Sequence, residues 1–412
     1  MPKRIVPVPQ SQFSFPFDPV SRAEEIRRVL FEQLDTAVVA AVSKMMTDEV
    51  LTLSGKHFAR KGGERLHRGG SAPGSIYLRG QRLAVRRPRV NKNGKERDLQ
   101  SYKAFEDYDV FSQDVARLLM HGVSTRDYSQ AIDQIADGVP LGRSAVSDAF
   151  KYATQKHLDE LNGRRLEKQN FVVLFMDGIE FAGMAVVVAL GITQNGEKVI
   201  LGLREGASEN GQVCTDLIGS LLERGLLFDG KILVVIDGSK ALKKAVQSTW
   251  GDRAVIARCR VHKTRNVLEY LSKSYHAEAR RRLNAAWNMN EYEAAKTELL
   301  KVVRWLTSIN ESAASSLEEA FEETLTLHRL GLPEILRKSL SSTNVIESAF
   351  SIVRARTSRV KNWRKGRGQI LRWSATGLAF AEKRMKKIRG HKYLALLVEK
   401  LGRKVDLVCE VA

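Results

Sequence analysis

Phe171-Val172-Val173-Leu174-Phe175-Met176-Asp177 and Lys231-Ile232-Leu233-Val234-Val235-Ile236-Asp237 decide how this chain folds. Each is an uninterrupted apolar run of strand length that ends on an aspartate. Runs of this kind, rich in β-branched and aromatic residues, read as strands buried on both faces of a sheet. A carboxylate carried to the end of such a strand is costly unless its charge is compensated, and a divalent cation is the usual compensation. A third acid, Glu347, stands in Thr343-Asn344-Val345-Ile346-Glu347-Ser348, at the start of a predicted helix crowded with arginine.

Working outward, the first run is followed by strand-like segments at 181–192 and 198–203, a helix at 212–223, the second run, a helix near 239–250 and a short strand at 254–257. The order β-β-β-α-β-α-β-α matches a ribonuclease-H-like arrangement, in which a three-stranded meander is extended by a fourth strand returning beside the first. A return through a helix makes the two strands parallel neighbours by a right-handed crossover. Strands lie ~4.8 Å apart, so Asp177 and Asp237 are expected side by side, close enough to share a metal ion. Residues 264 to about 335 read as almost entirely helical, with Leu299, Leu300, Val303 and Leu306 at helical spacing, and a helix is predicted to begin near Val345.

The amino-terminal part has another character. An irregular start leads into a helix over 22–46, and Gly62-Gly63, Gly69-Gly70 and Ala72-Pro73-Gly74 predict a loop. Residues 75–90 read as extended and dense in base: Arg79, Arg82, Arg86, Arg87 and Arg89, with Glu96 and Asp98 following. These charges suit phosphate contact or a solvated sheet edge. A short helix from Val123 to Ala136, a turn at 137–142 and a second helix from Arg143 fit a helix-turn-helix or a plain helical hairpin.

The chain has 412 residues and a net charge of +20, an excess that favours a polyanionic partner. No apolar stretch reaches the ~18–20 residues of a spanning helix, and Met1-Pro2-Lys3-Arg4 does not open a signal peptide. With cysteines only at 214, 259 and 409, a reducing compartment is expected, cytoplasmic or nucleoid.

Two motifs have rival readings. Asn344 to Glu347 is also a capping-box pattern. Against that, Ile346, Phe350 and Val353 give the helix an apolar face, and Arg354 lies two turns beyond Glu347 on the same side. Cys259-Arg260-Val261-His262 has half the ligands of a zinc site, but no second pair has the right spacing. His262 would rather contact DNA or support the acidic cluster. Further on, Arg354, Arg356, Arg359 and Lys361 are interleaved downstream with Trp363 and Trp373, a composition that suits strand tracking with base stacking, or a solvated helix whose tryptophans are core.

Met176-Asp177-Gly178, Val235-Ile236-Asp237-Gly238, Cys259-Arg260-Val261-His262-Lys263, Ser342 through Ser348 and the basic Arg86-Arg87-Pro88-Arg89 together resemble the Mutator-type, IS256-family transposases of bacterial insertion sequences. The resemblance implies a DNA transposase with Asp177, Asp237 and Glu347 as a catalytic, metal-holding DDE triad. It implies Cys259 and His262 as the family's C/DxxH motif, two Mg²⁺ ions for which Mn²⁺ substitutes, and double-stranded DNA partners (terminal inverted repeats and target). It further implies at least a homodimer on paired ends and no membrane. The expected fold class is α/β, a ribonuclease-H-like catalytic domain with an all-helical insertion, preceded by a mostly helical DNA-binding region. The expected division is 1–75 (helical, dimerising), 76–168 (DNA-binding), 169–263 and 336–390 (catalytic), 264–335 (insertion) and 391–412 (tail). The rivals are a nuclease that cuts without joining and a non-catalytic DNA-binding protein.

Overall fold

The computed structural model describes residues 19–55, 66–78, 80–131, 138–139, 141–181, 183–206, 210–358, 360, 363 and 366–403. The chain divides into two compact units, one formed by residues up to 119 with 123–150, the other by 120–122 with 151 onward.

In the first unit, α1 (Pro19–Ser54) precedes a hairpin of β1 (Leu66–Leu78) and β2 (Gln81–Lys92), followed by β3 (Lys95–Arg97). Then come α2 (Gln100–Phe105), α3 (Tyr108–Met120), α4 (Tyr128–Ala131), β4 (Gly138–Val139) and the start of α5 (Arg143–Gly163). Period-two alternation along the first half of β2 buries Leu83 and Val85 and leaves Arg82 and Arg86 exposed; the two apolar residues, with Val90, pack against Val42, Met46 and Val50 of α1.

Two expectations are corrected here. The glycine- and proline-containing stretch 69–74, expected as loop, lies within β1. It can do so because, among the described residues, β1 pairs on one side only, where proline is tolerated, and because the register shifts between Arg68 and Ser71, with Gly70 at φ +77°. The turn expected at 137–142 contains β4, which pairs with β2 through Val139 and Arg82. The second helix begins at Arg143 as expected; residues 132–137, which the first helix was to reach, lie outside the described residues.

The second unit is built on a five-stranded mixed sheet. Strands β5 (Phe171–Phe181), β6 (Met184–Thr193) and β7 (Lys198–Gly206) form an antiparallel meander. After α6 (Gly211–Glu223), β8 (Ile232–Ile236) returns parallel to β5; after α7 (Lys240–Trp250), β9 (Ala254–Arg258) lies parallel to β8. The order is β7-β6-β5-β8-β9, so the fourth strand does return beside the first. A run of helices follows: α8 (Arg260–Glu269), α9 (Lys273–Asn288), α10 (Tyr292–Thr307), α11 (Glu311–Glu318), α12 (Phe321–Arg329) and α13 (Glu334–Leu340). The chain then returns to the sheet through α14 (Asn344–Thr357), α15 (Gln369–Glu382) and α16 (Leu394–Lys400).

Alternation sorts the strand residues onto two faces. Leu174 and Met176 of β5 and Val234 and Ile236 of β8 pack with Leu217, Leu221 and Leu242 of α6 and α7. Val173 and Phe175 of β5 and Leu233 and Val235 of β8 pack with Ile346, Phe350 and Val353 of α14. Helices α8 to α12 close a core of their own around Leu283, Leu299, Leu306 and Leu317. Among the described residues no helix is long and apolar enough to cross a membrane.

Candidate active site

The parity of the strands places the acids. Asp177 and Asp237 have the same parity as Val173, Phe175, Leu233 and Val235, so both belong to the face that α14 covers. The parallel pairing of β5 with β8 ends at Met176 and Ile236, and the aspartates are the next residue on each strand. One detail differs from the sequence expectation. Asp177 does not end its strand; β5 runs on to Phe181, with Asp177 opposite Val188 of β6. The acid therefore sits where the chain has lost its parallel neighbour but keeps its antiparallel one. It is nearly fully buried, and Gly178 N–H donates to its Oδ1 at 2.9 Å.

Glu347 arrives from the first turn of α14. Its carboxylate does not reach back to cap the helix, since the capping position is Thr343 and makes no side-chain cap. It faces α8 instead, with Oε1 3.3 Å from His262 Nε2 and 3.5 Å from Arg265 Nη1. Ligand atoms of Asp177, His262 and Glu347 all lie within 4.8 Å of one another. Asp237 is outside that tight group. Its Oδ1 accepts from the N–H groups of Gly238 at 2.6 Å and Ser239 at 3.0 Å, at the mouth of α7.

His262 is fixed from its other ring nitrogen. Nδ1 lies 3.3 Å from Thr343 Oγ1, and the buried Thr343 also donates through its amide N–H to Cys259 Sγ at 3.4 Å. Cys259 in turn donates its amide N–H to Ile236 O, and Arg260 N–H donates to Ser341 O. One short segment thus ties the end of β8, the start of α8 and the start of α14 together. Of the two roles open to His262 from sequence, the structure places it beside the acidic cluster.

The electrostatics follow from this crowding. Burial first, then the neighbouring Asp237, pushes the Asp177 carboxyl up to about 7. His262 is held above its usual range, chiefly by hydrogen bonding to Cys259 and also by Asp177 and Asp237. Burial would raise the Cys259 thiol, but its bonds with His262 and Thr343 outweigh that and lower it.

Two features were not read from sequence. Arg265 follows His262 by three residues, a helical spacing that puts both on one side of α8. Arg258, at the end of β9, is 3% exposed and reaches across to Glu319 and Glu323 at 2.9 and 2.8 Å. Its path runs over the backbone after Asp237. A Cβ on Gly238, whose φ is +150°, would stand 2.6 Å from Arg258 Nη1. Only glycine leaves that guanidinium room.

The other predicted site residues are more dispersed. Arg82 and Arg86 project from the exposed side of β2, whereas Arg87 and Arg89 both pair with Glu96 of β3, at 2.8 and 2.7 Å. Arg354 is exposed on α14, and Arg356 donates to the carbonyl of Met120. Arg79, Arg359 and Lys361 lie outside the described residues. Trp363 packs edge-on against Phe181 and against the sheet core, so its ring is a packing element.

The sequence profile described as "Transposase, Mutator family" matches residues 18–367. The chain is similar to the transposase for insertion sequence element IS6120 of Mycolicibacterium smegmatis, 26% identical over 273 residues, covering 65% of this chain and 80% of that protein. It is similar to the transposase for ISRM5 of Rhizobium meliloti (strain 1021), 29% identical over 258 residues, covering 60% of this chain and 62% of that protein. It is also similar to the transposase for IS256 in transposon Tn4001 of Staphylococcus aureus, at 24% over 254 residues, 59% of this chain and 63% of that protein. For the latter two, the match spans less than two thirds of the relative's own length.

Proposed function

Because the chain belongs to the Mutator family of transposases, we propose that it cuts DNA at the terminal inverted repeats of an insertion sequence and joins the freed ends to target DNA. The observation that carries this reading is the convergence of Asp177, Glu347 and His262, with Asp237 one strand away on the same face. The order of the mixed sheet supports a ribonuclease-H-like catalytic fold.

The residues fit a divalent cation. The donor set is rich in carboxylate oxygen, which suits Mg²⁺ or Mn²⁺ better than zinc. The buried Asp177, pressed by Asp237 toward neutrality, is a carboxyl whose ionised form needs a nearby positive charge. Asp177, Asp237 and Glu347 would hold two such ions. Bound there, they supply positive charge that stabilises an attacking water or DNA 3′-hydroxyl and a departing 3′-oxygen.

The chain's own residues prepare that site. Asp237 is aimed by two backbone N–H groups, and His262 with Arg265 keeps the Glu347 carboxylate turned toward α8. Thr343 sets the plane of the His262 ring. Arg82 and Arg86 would grip phosphates in the first unit, and Arg354 would do so beside the site. Because two element ends are joined, the working form is at least a dimer, acting on DNA in the bacterial cytoplasm.

Glu347→Gln tests the assignment. The variant is expected to bind a terminal-repeat duplex with near-normal affinity and to lose at least 100-fold in Mg²⁺-dependent cleavage, roughly the effect of removing one group of a preorganised site. Cleavage near the wild-type rate would remove Glu347 from the machinery.

A further inference from the structure

Immediately past two of the site residues, a polar cavity of about 770 Å³ opens between helices α8 and α11. Its inner end begins at Gly238 and Lys263, the residues that follow Asp237 and His262. One wall is a single face of α8, with Lys263, Asn266 and Tyr270 at positions i, i+3 and i+7. The facing wall is the corresponding face of α11 and its end, with Ser312, Ser315 and Glu319 at the same spacing. The floor is built and fixed: Lys263 Nζ bonds Glu319 at 2.7 Å and Ser316 O at 2.7 Å, and Arg258 bonds Glu319 and Glu323. Both cations are almost fully buried.

The charge of this cavity is unlike that of the chain. On a protein of net charge +20, its lining holds Lys240, Arg258 and Lys263 against Glu269, Glu311 and Glu319. Arg258 and Lys263 are engaged by Glu319, which leaves Lys240 to face Glu269 and Glu311. Three cations and three carboxylates leave the lining without net charge, so a phosphate would find no positive field there. A neutral, flat ligand with amino donors and ring acceptors fits better: carboxylates take the amino groups, and Asn266, Ser312 and Ser315 can both donate and accept. Tyr270 stands at the outer end of α8, 51% exposed, and offers an aromatic face. The volume lies within the ~300–1,000 Å³ of small-ligand pockets.

We propose that this cavity receives a single nucleobase, extruded from the DNA next to the bond that is cut. The inference rests on the transposase reading and adds a specific holding site to it. Unstacking a base is unfavourable, and stacking on an aromatic side chain recovers part of that cost. Tyr270 is the stacking residue and Asn266 the edge reader. The extruded base draws the strand past Asp237, so the pocket positions the scissile phosphate as well as gripping the DNA.

The test uses the full-length protein and duplexes carrying the terminal repeat, with 2-aminopurine placed in turn at each position around the cut. Wild-type binding is expected to brighten one position. Tyr270→Ala is expected to abolish that rise and slow cleavage roughly 5- to 100-fold, the range for losing one base–aromatic stack; Tyr270→Phe should keep both. An abasic nucleotide at the brightened position should bring the alanine variant within about twofold of wild type, because no base remains to be held. Equal losses on intact and abasic DNA would mean Tyr270 acts structurally and would overturn the proposal, as would binding with no brightened position. Brightening without any cleavage by the wild type would uphold the pocket while refuting the catalytic reading. Failure to bind the duplex at all would remove both.

Discussion

Replacing Asp177 with asparagine should make the protein more stable above neutral pH, and the size of the gain follows from where the carboxyl sits. The side chain is 3% exposed, and burial with Asp237 holds its pKa at about 7 instead of 3.8. Between those two values the folded state keeps a proton that the unfolded chain has released, so stability falls as pH rises through the window. Above about pH 7 the deficit is complete and amounts to roughly 4 kcal/mol, at about 1.4 kcal/mol per pH unit. Asparagine does not titrate, and its oxygen can still accept the Gly178 N–H. At about pH 8 the variant should therefore melt on the order of 10 °C higher, taking ~2–4 °C per kcal/mol for a domain of this size. Near pH 5 the difference should shrink to less than half. Added Mg²⁺ should raise the wild-type melting temperature at pH 8 and close the gap, while leaving the variant nearly unmoved. Scanning fluorimetry across pH, with and without metal, reads all of this. A variant no more stable than wild type at pH 8, or a gap independent of pH, would refute the electrostatic account of the site.

Gly238→Ala should destabilise the protein by about 1–3 kcal/mol, the range for a side chain forced into glycine-only backbone, because its Cβ would meet the buried Arg258 guanidinium at 2.6 Å. Urea denaturation checks this, and an unchanged midpoint would show that Arg258 can move aside. Replacing both Arg82 and Arg86 with alanine should flatten the dependence of DNA affinity on salt by about two phosphate contacts, measured as the slope of log K against log salt. The same change at Arg87 and Arg89, which share Glu96, should alter the slope less; the reverse ranking would show that the ion pairs open on DNA.

Much of this was legible before any coordinates. Two apolar runs ending in aspartate read as buried strands, and the strand order made the two acids neighbours. The helix beginning at Asn344 and its apolar face were also readable, because Ile346, Phe350 and Val353 repeat at helical spacing. The extended reading from residue 75 covers only the end of β1. Its first part, 66–74, is hidden because glycine and proline read as breakers; tolerance for them comes from pairing, among the described residues, on only one side, a property of the sheet and not of the residues. Arg87 and Arg89 read as phosphate contacts or a solvated edge, and their shared partner was hidden: the pairing of β2 with β3 sets Glu96 opposite Asn91, within reach of both guanidinium groups. Arg258 was hidden for a similar reason. In sequence it is one more basic residue, and only the packing of α12 against β9 and of α11 against α8 gives it Glu319 and Glu323 as partners.

The most direct test of the central claim is strand transfer in Mg²⁺ with paired, labelled terminal-repeat duplexes and a supercoiled target, run with wild type and Asp237→Ala side by side. The account predicts cut and joined products from the wild type, and from the variant neither product despite near-normal repeat binding. Joined products from Asp237→Ala at the wild-type rate would contradict it; cutting without joining by the wild type would leave a nuclease in place of a transposase.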